Sequence, residues 1–230
     1  MKKLVITLLI ALTATLVPSR AADQPTTKRD DLISHVESCE AILQEFMARP
    51  ETAIPSSVLA RARAIVITNQ FKAGFILGVQ SGYGVILVKK ASGRWSVPVL
   101  IKAGAASLGL QLGGTAVETI FIITDDQTPR LMFNSRFNIG IDAKAVIGPH
   151  AGEKENDNHP IIDAPVLVYT KNAGLYAGAT LKAGYISRSD GANRLLYNTA
   201  YAMPELLYSD WVQPIPEVEP LMKMVQRIAP

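Results

Sequence analysis

The chain has 230 residues, 48% of them hydrophobic, with 23 Lys and Arg against 20 Asp and Glu and one cysteine, Cys39. A chain of this length can bury its own core, and a lone cysteine excludes an internal disulfide. Lys2, Lys3 and Arg20 fall in an N-terminal leader, which leaves 20 bases against 20 acids, so bulk charge does not point to nucleic acid.

Residues 1–21 read as a signal peptide. Lys2 and Lys3 precede the apolar run Leu4–Val17, which is short for a bilayer span, and Ser19-Arg20-Ala21 supplies the small residues of a cleavage site. No cysteine lies near the cut, so no lipid anchor can be attached there. The expected location is the bacterial periplasm, either free or attached peripherally to a membrane surface.

Residues 22–53 form a leader and an amphipathic helix. Over Lys28–Ala48, Leu32, Val36, Cys39, Leu43 and Phe46 or Met47 recur at three- and four-residue steps. Asp30 and Asp31 suit the helix N-terminus and Pro50 closes it. The outer face is acidic (Glu37, Glu40, Glu45), which favours a helix lying on the core over one seeking an anionic membrane. Cys39 is expected as a buried small hydrophobe.

A short helix over 56–62 leads into a strand at 64–68. Further strands are predicted over 83–90, 95–101 and 116–124, with Ala91-Ser92-Gly93 as a turn and Pro98 marking an edge or bulge. Phe137, Ile139, Ile141, Ala143, Ala145 and Ile147 alternate as in one strand. A polar loop over 149–160 precedes strands at 165–170 and 175–187, joined by the turn Lys171-Asn172-Ala173-Gly174. A helical signal follows at 193–201, then a turn or short helix at 204–208. Residues 211–230 form a Pro-rich tail (Pro214, Pro216, Pro220) ending in a short helix.

The stretch from Lys72 to Gly114 holds nine glycines among apolar residues. It is too apolar for a linker and lacks both nucleotide-loop patterns. Gly74, Gly78, Gly82 and Gly84 are all even-numbered, so a regular strand would present them on one face. Something must approach that bare backbone closely: a neighbouring element or a bound acyl chain. Gly109 and Gly113 have the spacing of a membrane-helix contact, but Gln111, Glu118 and a β-branched run argue for strand. Lys72–Gly78 weakly echoes Asn172–Gly178, either as an internal duplication or as shared turn chemistry.

Several ordered blocks carry a more specific signal: Phe71-Lys72-Ala73-Gly74-Phe75, Ser81-Gly82-Tyr83-Gly84-Val85, Gly93-Arg94-Trp95-Ser96-Val97-Pro98, and Ser107 to Gly114. They continue through Asp142-Ala143, Gly148-Pro149 and Tyr169 to Gly178, and close at Asp190, Asn193 and Tyr197. Together they resemble the SYLF domain, placed here at 54–210. That family binds lipids and occurs in bacterial exported proteins and in eukaryotic phosphoinositide- and actin-binding proteins. The resemblance implies non-catalytic binding of a phospholipid or membrane surface in the periplasm. The alternatives are a structural or protein-interaction module in cell-envelope assembly and, behind it, an envelope-lipid hydrolase. A protein partner is possible, whereas actin is not expected, because a periplasmic protein meets none.

The expected fold is α+β: a single domain with a mainly antiparallel sheet curled as a barrel or sandwich, flanked by N- and C-terminal helices. The candidate lipid-binding residues are Arg61, Arg63, Lys72, Gly74, Gly78, Lys89, Arg94, Trp95 and Lys171. The bases stand near turns and strand ends, where side chains and turn N–H groups can hold a phosphate. Trp95 is either an interfacial anchor or a core residue. No nucleophile elbow or cofactor motif is present. His150, Glu153, Asp157 and His159 include zinc-ligand types but read as a solvated loop. No catalytic residue, metal or cofactor is expected.

Overall fold

A computed structural model describes residues 28–73, 77–108, 115–149, 164–171 and 184–230. The leader, Gly74, Gly109, Gly113, the four residues considered for zinc and the whole Asn172–Gly178 half of the echo lie outside them. Helix α1 spans Lys28–Ala48 and α2 Ser56–Ala60. Four long strands follow: β1 Ala64–Ala73, β2 Leu77–Val88, β3 Val99–Leu108 and β4 Thr115–Ile123. After α3 (Thr128–Leu131) come β5 (Phe137–Asn138), β6 (Ala145–Ile147), β7 (Val166–Thr170) and β8 (Gly184–Arg188). Helices α4 (Asp190–Tyr197), α5 (Met203–Tyr208) and α6 (Glu219–Ile228) complete the described chain, with a 3-10 turn before α6.

The strands form one eight-stranded sheet in the order β5-β8-β3-β2-β1-β4-β7-β6, antiparallel except for β6 beside β7. A flat sheet of eight strands would hold its edges ~34 Å apart. The edge strands β5 and β6 are joined through residues 139–144, which reach at most about 24 Å, and Ile139 bridges Ala143. The sheet must therefore curl, and it forms a half-barrel with flanking helices, as the sequence led us to expect.

Both faces of the central strands are buried. Ile65, Ile67, Val85, Leu87, Leu100, Ile120 and Tyr169 face the outer helices with Val36, Cys39, Leu43 and Phe46 of α1 and Leu221 and Val225 of α6. Val66, Ile86, Ile101, Phe121 and Val168 point to the inner face, which α5 covers with Met203, Leu206 and Leu207. Thus α1 is a core helix. Its buried thiol, Cys39, is pushed up to about 12 by desolvation, which leaves it protonated and inert.

At Gly84 an added Cβ would collide with the Ile67 carbonyl and lie 3.0 Å from Thr68 Cγ2; at Gly82 it would meet Gln70 Cα at 2.6 Å. The close neighbour of these glycines is the backbone of β1, so their bareness lets β1 and β2 coil tightly. Gly104 has a different neighbour: the ring of Tyr185 lies over it, with Cζ 2.6 Å from where a Cβ would be.

Three expected elements differ. The alternating run 137–147 is not one strand. Gly140 takes φ +75°, and the Asp142 carboxylate accepts from Asn138 N–H at 2.6 Å, turning the chain so that the run divides between opposite sheet edges. Ile141 is left exposed. The strand predicted from Trp95 starts only at Val99, because Ser96 Oγ accepts from Val88 N–H at 3.0 Å in place of a backbone carbonyl and Pro98 has no N–H to offer. Helix α4 stops at Tyr197 rather than Tyr201, since Asn198 takes the left-handed conformation (φ 48°) of a helix C-terminus.

Residues of the SYLF-like blocks fasten α4 to the sheet. Buried Asn193 accepts from Leu100 N–H at 2.7 Å through Oδ1 and donates to Leu100 O at 2.8 Å through Nδ2. Tyr197 OH donates to Pro98 O, and the Arg188 guanidinium pairs with Asp190 at 2.6 Å.

Gly84→Ala should lower stability by about 1–3 kcal/mol, because backbone must move; urea unfolding measures it. Asn193→Ala should cost about 2–4 kcal/mol, since it leaves both backbone polar groups of Leu100 buried without their partner, read from the same unfolding curves.

Candidate functional site

The sheet separates the predicted site residues into two groups. Arg61 ends α2 and Arg63 enters β1, where its carbonyl accepts from Lys89 N–H at 2.8 Å. Lys89 also bridges Trp95, so Arg63, Lys89, Arg94 and Trp95 gather at one end of the sheet. Lys72 and Gly78 belong to the far ends of β1 and β2, toward their hairpin connection. Lys171 follows the last residue of β7 and lies level with Asn69, roughly 20 Å along β1 from Arg63. One head group cannot touch both groups.

Lys171 is already committed. Its ammonium pairs with Glu45 of α1 at 2.6 Å and with Glu118 of β4, and so clamps α1 to the sheet. Burial pulls its pKa down, but the hydrogen bonds to Glu118 and Glu45 outweigh that, and the net direction is up. Glu45 is held below the ordinary glutamate value, first by the hydrogen bond from Lys171 and then by its charge.

The end that gathers Arg94 and Trp95 contains a cleft of about 400 Å³ between the β2–β3 turn, the segment after α5 and helix α6. The turn is closed by Lys90 N–H donating to Arg94 O at 2.9 Å, with Gly93 at φ +78°. Trp95 lines the cleft but is 4% exposed and donates Nε1–H to Ala229 O at 2.8 Å, so it is a core residue of the cleft wall. Val97, Leu206, Val212 and Met222 add apolar surface.

Three cations border this apolar surface: Lys90, Arg94 and Lys223. Lys90 is largely sunk, with its side chain 11% exposed, and pairs with Asp210 at 2.9 Å. Arg94 reaches the same Asp210 oxygen at 3.2 Å. Asp210 is held below the usual aspartate range, first by the hydrogen bond from Lys90 and then by its charge. Lys223 pairs with Glu219 at 2.7 Å. Lys89 donates to the Pro230 carbonyl nearby, and Arg63 faces Asp126 at 3.9 Å. Trp211 stands in sequence between Asp210 and Val212 of the cleft lining and is 64% exposed, a large apolar side chain in water.

Sequence reasoning selected Arg94 and Trp95 and missed Asp210, Trp211 and Lys223. The available signal was Trp211 itself, an aromatic residue in the polar, proline-rich segment Ser209–Pro216. Among the described residues no cluster of three or more His, Cys, Asp or Glu is placed to hold a metal, and no helix is long and apolar enough to cross a membrane.

A family model described as Las17-binding protein actin regulator, Ysc84, matches residues 104–228, more than half of the chain. Among individual relatives, SH3 domain-containing YSC84-like protein 1 of Bos taurus is 26% identical over 190 residues, covering 80% of this chain and 56% of the relative. Its Xenopus laevis counterpart is 28% identical over 174 residues, covering 73% and 52%. LAS seventeen-binding protein 3 of Saccharomyces cerevisiae is 28% identical over 176 residues, covering 75% and 38%. The chain thus spans about half or less of these relatives. No solved structure matches it. The match corrects one expectation: the family is described by actin regulators, so the exclusion of actin as a partner does not stand.

Replacing Lys171 with Met should lower Tm at pH 7. The depressed Glu45 lends its stability above the ordinary glutamate pKa of about 4.3 and loses it as pH falls through the lower folded value. The raised Lys171 lends its share below its ordinary pKa of about 10.4 and loses it as pH rises through the higher folded value. Melting curves from pH 3 to 11 should show the wild-type advantage widest between those limits and closing toward each.

Proposed function

The chain belongs to the Ysc84 family of SYLF-domain proteins, and from that premise we propose that it is a non-catalytic module that binds anionic lipid at a membrane surface through the Lys90–Arg94 cleft. One observation carries the choice of site: an exposed Trp211 stands beside an apolar cleft bordered by Lys90, Arg94 and Lys223. An anionic head group requires cations, and the interface between head groups and acyl chains favours tryptophan, whose ring is apolar and whose N–H is polar. Arg63 and Lys89 widen the basic rim on the same end of the sheet. Residues 1–21 support export, which makes the phospholipids of a bacterial envelope the ligand class of the proposal. Binding alone is the activity proposed, since the cleft residues suit attraction and burial rather than bond breaking.

A second reading rests on the family description. A protein-interaction role, with actin among the candidate partners, has the same basic end of the molecule available to it.

Co-sedimentation of the full chain with phosphatidylglycerol-containing vesicles and, in parallel, with filamentous actin separates the readings. Vesicle binding should weaken with salt. Lys90→Gln with Arg94→Gln should weaken it by about 2 kcal/mol, at about 1 kcal/mol per base near an anionic surface. Trp211→Ala should weaken it without abolishing the salt dependence. Absence of vesicle binding at low salt would defeat the lipid reading.

A further inference from the structure

A single oxygen, Asp210 Oδ1, lies 2.9 Å from Lys90 Nζ and 3.2 Å from Arg94 Nη2. The two cations belong to the β2–β3 turn, and the carboxylate arrives from a segment more than a hundred residues later in the chain. The pairing is unequal. Lys90 has its side chain 11% exposed and also donates to Ser209 O at 3.3 Å, so its ammonium requires an anion close by. Asp210 itself is 65% exposed, and Arg94 meets it through Nη2 alone. A guanidinium is a fork built for two parallel hydrogen bonds to a carboxylate or phosphate. The carboxylate therefore occupies the anion position between the cations without filling it: it supplies one oxygen where a phosphate supplies three. Glu219, paired with Lys223, is another carboxylate on this rim.

We propose that Asp210 is a built-in competitor for the anion position of the cleft, and that a phosphate-bearing ligand binds by displacing its carboxylate from Lys90 and Arg94. The inference rests on the reading of the cleft as an anion-binding membrane site and adds the regulation of that site. Asp210 then sets a threshold. A zwitterionic surface offers too little to displace the internal carboxylate, whereas a surface dense in phosphate and net negative charge does so. The displaced Asp210 moves together with its neighbour Trp211, so release of the ion pair frees the tryptophan's segment to meet the membrane.

The test uses Asp210→Asn, which removes the charge at constant shape, and Asp210→Ser, which removes it with a smaller side chain. Binding is measured by titrating each full-length protein with inorganic phosphate, with vesicles of pure phosphatidylcholine, and with vesicles carrying one third phosphatidylglycerol, roughly the charge density of an anionic leaflet. Thermal melting confirms that each variant is folded. Both variants should bind the anionic vesicles about two- to fivefold more tightly than wild type, the scale of one exposed charge pair, with no gain on phosphatidylcholine. A gain for inorganic phosphate as well assigns the effect to phosphate itself, and a gain for vesicles alone assigns it to the lipid surface; either supports the competitor. Unchanged or weaker anion binding by both folded variants would overturn it and make Asp210 a structural tether, while leaving wild-type vesicle binding, and the reading of the cleft, intact. A phosphate gain in the variants with no vesicle binding by any form would support the competitor and defeat the membrane reading. Failure of every form to bind phosphate or vesicles would defeat both.

Discussion

The tight coiling of β2 against β1 at Gly82 and Gly84 is the constraint on which the rest of the molecule depends. A side chain at either position would strike the backbone of β1, and backbone cannot step aside as a rotamer can. Because the coil is tight there, eight strands curl far enough for the short connection 139–144 to join opposite edges. Because the sheet curls, it has an inner face that α5 can cover and an outer face for α1, α4 and α6. Glycine, which in a strand ordinarily sacrifices packing and chain entropy, here removes the one group that would keep the sheet open.

The second layer of organisation is polar and sparse. Asn193, Tyr197 and Trp95 each send a side-chain group to a backbone partner far away in sequence: Leu100, Pro98 and Ala229. These bonds fix α4 and the end of α6 against the start of β3. The cleft is a consequence, since its walls are the turn that carries Trp95 and the helix that Trp95 holds. Residues that carry the SYLF resemblance, Arg94-Trp95-Ser96 and Asn193 with Tyr197, thus build and border the same place. This ties the family's sequence pattern to the architecture around the proposed site, independently of any ligand.

The charge arrangement separates architecture from binding. Lys171 is bound to two carboxylates and joins helix to sheet, which directs its charge inward. Lys90 and Arg94 share one exposed carboxylate at the mouth of an apolar cleft, an arrangement that an external anion can enter. Both are ion pairs, but the first connects elements on which the core depends and the second borders a surface. Arg94 and Asp210 are exposed, and an exposed ion pair contributes little to stability, so the carboxylate can be exchanged at small cost for a ligand anion that keeps the sunken Lys90 paired.

Local physics made much of this legible in the chain. The stripe of α1 was readable because helical period alone places Val36, Cys39, Leu43 and Phe46 on one side. The strand regions were readable because β-branched runs bounded by turn residues leave few alternatives, and the family resemblance followed from residue blocks in order. Alternation over 137–147 was visible too, but its division between two sheet edges depended on Gly140 and the Asp142–Asn138 hydrogen bond. The glycine face was legible as a demand for close approach, while the approaching partner, the backbone of β1, was a matter of register and curl. The site was least legible. The eight described residues of the nine chosen by charge, glycine content and position came apart into groups at opposite ends of a strand, and Asp210 and Lys223 joined Arg94 only through the packing of the segment after α5 and of α6. Periodicity is a property of neighbours in sequence and can be read from them; which distant cation meets which carboxylate is decided by how the layers stack, and that belongs to the tertiary structure alone.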